Sequence, residues 1–120
     1  MIYSDTLKIK REDITLGYRG QTECCAVAQA VKRQIIKNLS GDYYPCVEGS
    51  DGIWLCDPET TDFKYQIVLN KKDEEKIEQF INEFDLIDDN DELLKSEIEP
   101  IEVDFTLVKI ECWKRRSTLK

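Results

Sequence analysis

The side chains of this chain with the most chemical reach are its thiols, and two of them, Cys24 and Cys25, stand together in "RGQTECCAVAQAVKRQI", residues 19–35. Near the first turn of a helix a thiol meets free backbone N–H groups and the positive end of the helix dipole, which lower its pKa and favour a nucleophilic thiolate. Such a nucleophile also needs a base. The chain contains no histidine, so Ser-His-Asp and Cys-His arrangements are excluded, and only a carboxylate or a lysine remains for the role. The competing use of the pair is as small apolar groups. Cys24 falls in register with Val27, Ala28, Val31 and Ile35, the three-and-four spacing of a buried helical stripe. On that reading Cys24 is shielded, Cys25 is partly accessible, and neither is catalytic. The five cysteines, at 24, 25, 46, 56 and 112, cannot all pair within one chain and include no C-x-x-C knuckle. Reduced thiols are therefore expected, with no metal site and no cofactor.

Three further segments carry functional groups in dense or suggestive patterns. "EGSDG", residues 48–52, sets a serine between glycines, but it lacks the G-x-S-x-G pattern and no helix follows, so it reads as a hairpin turn. From Asp85 to Asp104 nine carboxylates face one lysine, a net of −8 that equals the formal charge of the whole chain. Setting Asp88, Asn90, Glu92 and Glu99 at the ligand positions of a calcium loop leaves Leu93 where that loop requires glycine. Two uses remain for the segment: a solvated, solubilising face, or a surface that steers onto a basic partner. On the second, Asp85, Asp88, Asp89, Asp91, Glu92 and Glu97 are the candidate partner-binding residues, and direct nucleic-acid binding is not expected. At the C-terminus "CWKRRSTLK" sets Lys114, Arg115 and Arg116 beside Trp113. With Arg19 these form a candidate anion-binding set, since cations next to an aromatic suit phosphate and base.

The elements that must position these groups follow from periodicity. A chain of 120 residues with 41% hydrophobic and 35% charged residues is expected to form one globular domain, 1–120, with 112–120 a flexible basic tail. No apolar run approaches the roughly 20 residues of a membrane span. "MIYSDTLKIK" has no apolar signal core, so a cytoplasmic site is expected. Alternation in "TLKIK" predicts a strand through Leu7 and Ile9, followed by a helical turn in "REDITLGYRG". A helix capped by Thr22 then runs to about Asn38. "YYPCVE", "GIWLC" and "FKYQIVL" predict three strands. Asn70 caps a second helix with Ile77, Phe80, Ile81 and Phe84 inward, and "DLIDDNDELLKSEIEP" reads as an acidic loop. A last strand alternates Ile101, Val103, Phe105 and Leu107. The fold class is α+β, a mostly antiparallel sheet of about five strands with two helices on one face, in the order β-α-β-β-β-α-β.

Three blocks of the chain resemble a group of small phage and bacterial proteins. These show a strand, then D-I-x-x-G-x-R-G, then a helix opening with Cys-Pro and continuing with alternating alanines. The matching residues are Asp13, Ile14, Gly17, Arg19, Gly20, Cys25, Ala28 and Ala30, with Lys32 and Arg33 at the helix end. Later blocks match at Phe80, Ile81, Phe84 and Asp85, and at Pro100, Val103, Phe105 and Leu107. The chain departs from the group in having Ala26 where the group has proline, and in its longer middle section. The resemblance implies a phage or mobile-element setting and supplies no activity. Asp13 reads as a cap for the short helix, and Gly17 and Gly20 as turn residues. Arg19 is expected to hold an anion or to pair with an acidic residue such as Asp85. The function expected is that of a small non-enzymatic acidic binding protein, an inhibitor of a host defence protein through its acidic face. The alternative is an oligomeric binder of a nucleotide or another phosphorylated small molecule.

Overall fold

The computed structural model describes residues 3–19, 21, 23–39, 41–48 and 52–110. Alternation in the sequence becomes a five-stranded sheet, entirely antiparallel, in the order β1-β5-β4-β3-β2. Its strands are β1 (Tyr3–Ile9), β2 (Tyr44–Val47), β3 (Ile53–Cys56), β4 (Phe63–Leu69) and β5 (Ile101–Lys109). The register sets Leu7 opposite Val103, Leu69 opposite Phe105, Ile67 opposite Leu107 and Ile53 opposite Ile67. Directly opposed residues share a face, so these apolar rows form one floor for the helices. The expected α+β class and sheet are thus present.

Helix α2 (Ala26–Gln34) lies on that floor. Ala26, Val27, Ala28, Ala30 and Val31 are all buried, as is Ile35 just beyond, because three alanines let neighbouring backbone approach on nearly every side. The helix starts later than the Thr22 cap predicts. Thr22 itself lies outside the described residues, and the N-cap is Cys25. The preceding turn is closed by Cys24 and Cys25 N–H groups donating to Gln21 O at 3.1 and 2.9 Å, and by Tyr18 N–H donating to Cys24 O at 2.9 Å. The cause is a close approach: a Cβ on Gly17 would sit 2.5 Å from Ala26 N, so the chain folds back on itself here instead of starting a helix. Gly17 itself has an ordinary φ of −75°. It is needed for space, not for turn freedom.

Helix α1 (Arg11–Leu16) is one and a half turns long and cannot persist alone. Asp13 anchors it. Its carboxylate, only 2% exposed, accepts from Lys10 N–H at 2.8 Å at the start of the helix, and from Arg33 Nε and Nη2 at 3.1 and 2.7 Å. The same Arg33 Nη2 donates to Lys8 O at 2.6 Å, so one ion pair ties α1, α2 and β1 together. Gln34 completes the seal, accepting from Lys8 N–H at 2.9 Å and donating to Thr6 O. These side chains occupy backbone groups that edge strand β1 would otherwise offer to another strand. At the other edge, β2 carries Pro45, which has no N–H to give.

The second half holds α3 (Lys71–Asp85), capped as expected by Asn70, which accepts from Asp73 N–H at 2.8 Å. Ile77, Phe80 and Phe84 are buried. The expected helical turn is α1, and the expected acidic loop contains a further helix, α4 (Glu92–Ser96), so the helices number four α and a 3-10 turn (Ile36–Asn38) among the described residues. Removing one partner of a buried ion pair strands the other. Asp13→Ala should therefore cost about 3 kcal/mol in urea unfolding, and the Asp13→Ala/Arg33→Met double variant distinctly less than the sum of the singles. Full additivity would mean the two side chains do not act as a pair.

Candidate functional site

The acidic segment joins α3 to β5 and is built around α4. Asp91 caps that helix, accepting from Leu94 N–H at 3.1 Å, and Asp88 accepts from Asn90 N–H at 2.9 Å in the turn before it. Asp89 reaches across to the first half of the chain and accepts from Arg19 N–H at 2.8 Å. Three of the six candidate partner-binding carboxylates therefore also shape the loop. Glu92 and Glu97 are exposed, and Asp85 is half-buried.

The cations nearby point the other way. Lys95, the sole lysine of the segment, is buried. Its ammonium donates to Gly17 O at 2.9 Å and to Thr15 O at 3.5 Å, 5.7 Å from the centre of the Phe84 ring. Those carbonyls are the unsatisfied C-terminal end of α1, where a cation is favoured. Arg11, the first residue of α1, donates in return to Lys95 O at 2.9 Å and Ile98 O at 2.7 Å, the C-terminal end of α4. Each short helix thus supplies the cation that caps the other. Lys95 is thereby withdrawn from the surface of α4, while Arg11 stays exposed with its donors committed to the carbonyls.

Two concavities flank α4. On the α1 side, about 430 Å³ is lined by Arg11, Asp89, Glu92 and Lys95 among others, with both cations engaged as described. On the α3 side lies a groove of about 410 Å³. Its floor is apolar, from Phe80, Ile87, Leu94, Ile98 and Ile101, and Glu83, Glu97 and Glu99 stand along its sides. The predicted residues are therefore divided: Asp89 and Glu92 face one concavity and Glu97 the other. Glu83 and Glu99, which sequence reasoning did not select, join Glu97 around the apolar floor. A larger hollow of about 640 Å³ lies on the opposite face of the sheet. Its polar groups already satisfy one another, Ser4 Oγ with Thr106 Oγ1 at 2.9 Å and Thr6 Oγ1 with Asp104 at 2.8 Å.

Among the candidate anion-binding residues, Arg19 is exposed and contacts the acidic segment through its backbone N–H to Asp89. The ion pairs of the described residues include those of Arg33 with Glu12 and Asp13. Lys114, Arg115 and Arg116, and the whole expected tail 112–120, lie outside the described residues.

The thiols exchange the roles assigned to them. Cys25 is buried and Cys24 half-exposed in the turn. Burial pushes the Cys25 thiol up, outweighing the pull of the Val27 and Ala28 N–H groups at the helix start, and Asp85 adds to the rise. The Cys25 side chain belongs to the buried core cluster. Cys46, on the sheet face away from the helices, donates to Glu48 Oε2 at 3.2 Å, and burial with that carboxylate pushes its pKa up to about 12. No cluster of three or more Cys, Asp or Glu placed to hold a metal ion occurs among the described residues, and no helix among them is long and apolar enough to cross a membrane. No protein-family model, curated protein or solved structure matches this chain.

The Cys46 shift has a pH signature. Below the ordinary thiol pKa of 9.0 both folded and unfolded chains keep the proton, and the contribution of the neutral thiol is intact. Between 9.0 and about 12 the unfolded chain loses its proton first, so stability falls as pH rises. Cys25 acts in the same direction. Unfolding free energies measured across that range should decline less steeply in Cys46→Ala than in the parent. Equal slopes would refute the assignment.

Proposed function

We propose that this protein is a non-catalytic binding module that engages a basic protein surface through its acidic segment. The observation that carries the reading is the separation of charge around α4: Arg11 and Lys95 are spent on helix ends, and exposed Glu92, Glu97 and Glu99 are left on the surface. A one-signed surface steers an oppositely charged partner and rejects nucleic acid. The setting in a phage or mobile element comes from the resemblance, and inhibition of a host defence protein in the cytoplasm completes the proposal. The nucleotide-binding alternative would use the exposed Arg19, whose backbone N–H is held by the carboxylate of Asp89.

The test exploits the caps. Asparagine caps helices and turns about as well as aspartate, so the quadruple variant Asp88→Asn, Asp89→Asn, Asp91→Asn, Glu92→Gln should remain folded, within about 1 kcal/mol of the parent. Immobilised parent protein should retain basic proteins from a bacterial lysate at low salt and release them as ionic strength shortens the screening length. The variant should retain few of them. Equal retention by the variant, or capture indifferent to salt, would contradict the proposal.

A further inference from the structure

We propose that the groove between α3 and α4 is the docking site for a basic amphipathic helix of the partner protein. This rests on the acidic-face reading and narrows it to one groove and one partner chemistry. A purely electrostatic surface needs no apolar floor, yet this one has it: Phe80 and Ile98 form its base, and Leu94 remains 42% exposed above them. In the flanking segments Leu86 and Leu93 are 82% and 72% exposed. A leucine left partly in water on a concave apolar surface, as Leu94 is, is the usual mark of a protein-binding patch.

The charges at the sides select the occupant. Glu83 rises from α3, and Glu97 and Glu99 follow α4, so carboxylates are contributed from both sides of the floor. Lys76, the lysine lining the groove, donates to Glu102 O at 2.9 Å and is held at its end. A segment that fits must present apolar side chains to the floor and lysine or arginine to the sides. One helix does both, with anchors at i, i+3, i+4 and i+7 and cations flanking them. An extended strand has no place here, because β5, which begins at Ile101, is already paired with β1 and β4. The same groove on a second copy presents like charge and is rejected.

Calorimetric titration of the full chain with a synthetic helix-forming peptide, leucine at i, i+3, i+4 and i+7 and lysine elsewhere, tests this. The peptide should bind. The same composition with leucines scattered around the helix should bind at least about tenfold more weakly, and a version with glutamate for lysine should not bind. The exposed triple variant Glu83→Gln, Glu97→Gln, Glu99→Gln should weaken binding about tenfold or more and flatten its salt dependence, whereas Leu94→Ser should weaken it and leave the salt dependence unchanged. If the scattered peptide binds as well as the patterned one and Leu94→Ser has no effect, the groove proposal fails while the acidic-face reading stands. If no lysine peptide binds at low salt, both fail. Sedimentation showing a dimer that Leu94→Ser dissociates would assign the groove to a second copy and overturn the proposal.

Discussion

Two helices too short to stand alone hold each other up through their C-terminal carbonyls. Lys95 of α4 donates to Thr15 and Gly17 at the end of α1, and Arg11 of α1 donates to Lys95 and Ile98 at the end of α4. The chain needs this because α1 and α4 span six and five residues, well below the length at which a helix persists in water. The ends that propensity cannot stabilise are satisfied by charge-assisted hydrogen bonds, stronger than neutral ones. The same bonds set the electrostatics. Lys95, buried by its cap, is a cation withdrawn from the surface, so part of the acidic character of this face is a consequence of how the fold is closed.

A third cation extends the pattern. Arg33 serves the buried Asp13 carboxylate and the edge of β1 at once, as Gln34 does beside it. Among the described residues no buried side-chain nitrogen or oxygen is left without a partner. Tying β1, α1 and α2 together fixes Gly17 against Ala26, and Gly17 O is the acceptor that holds Lys95. The buried aspartate and space-making glycine of the first half therefore bear on the second half, because α4 docks on the α1 turn they create.

Much of the fold was legible from periodicity. Strand alternation at Leu7 and Ile9 and at Val103, Phe105 and Leu107, the stripe from Val27 to Ile35, and the Asn70 cap each depend on neighbours within a few residues, and each is present. What was not legible depends on partners far away in sequence. α4 has only one turn and a half, and its stabilising cation Arg11 lies some eighty residues earlier, so Asp88–Glu99 carried the composition of a loop. The thiol pair was misassigned because spacing places Cys24 on the stripe, while the close approach of Gly17 to Ala26 delays the helix and buries Cys25 in its stead. The acidic surface was visible as composition. The apolar floor beneath it was not, because it joins Phe80, Leu94 and Ile101 from three separate elements.

The account stands on Lys95 being turned inward. Reductive methylation of the native protein, read residue by residue with mass spectrometry, measures that directly, since the reagent needs a solvent-accessible amine. Exposed Lys8, Lys32, Lys71 and Lys72 provide the reference rate within the same molecule. The structure predicts that Lys95 stays unmodified while these react and becomes reactive only on unfolding. Modification of Lys95 at the rate of the exposed lysines, in protein that remains folded, would show that its charge lies on the surface and contradict the account.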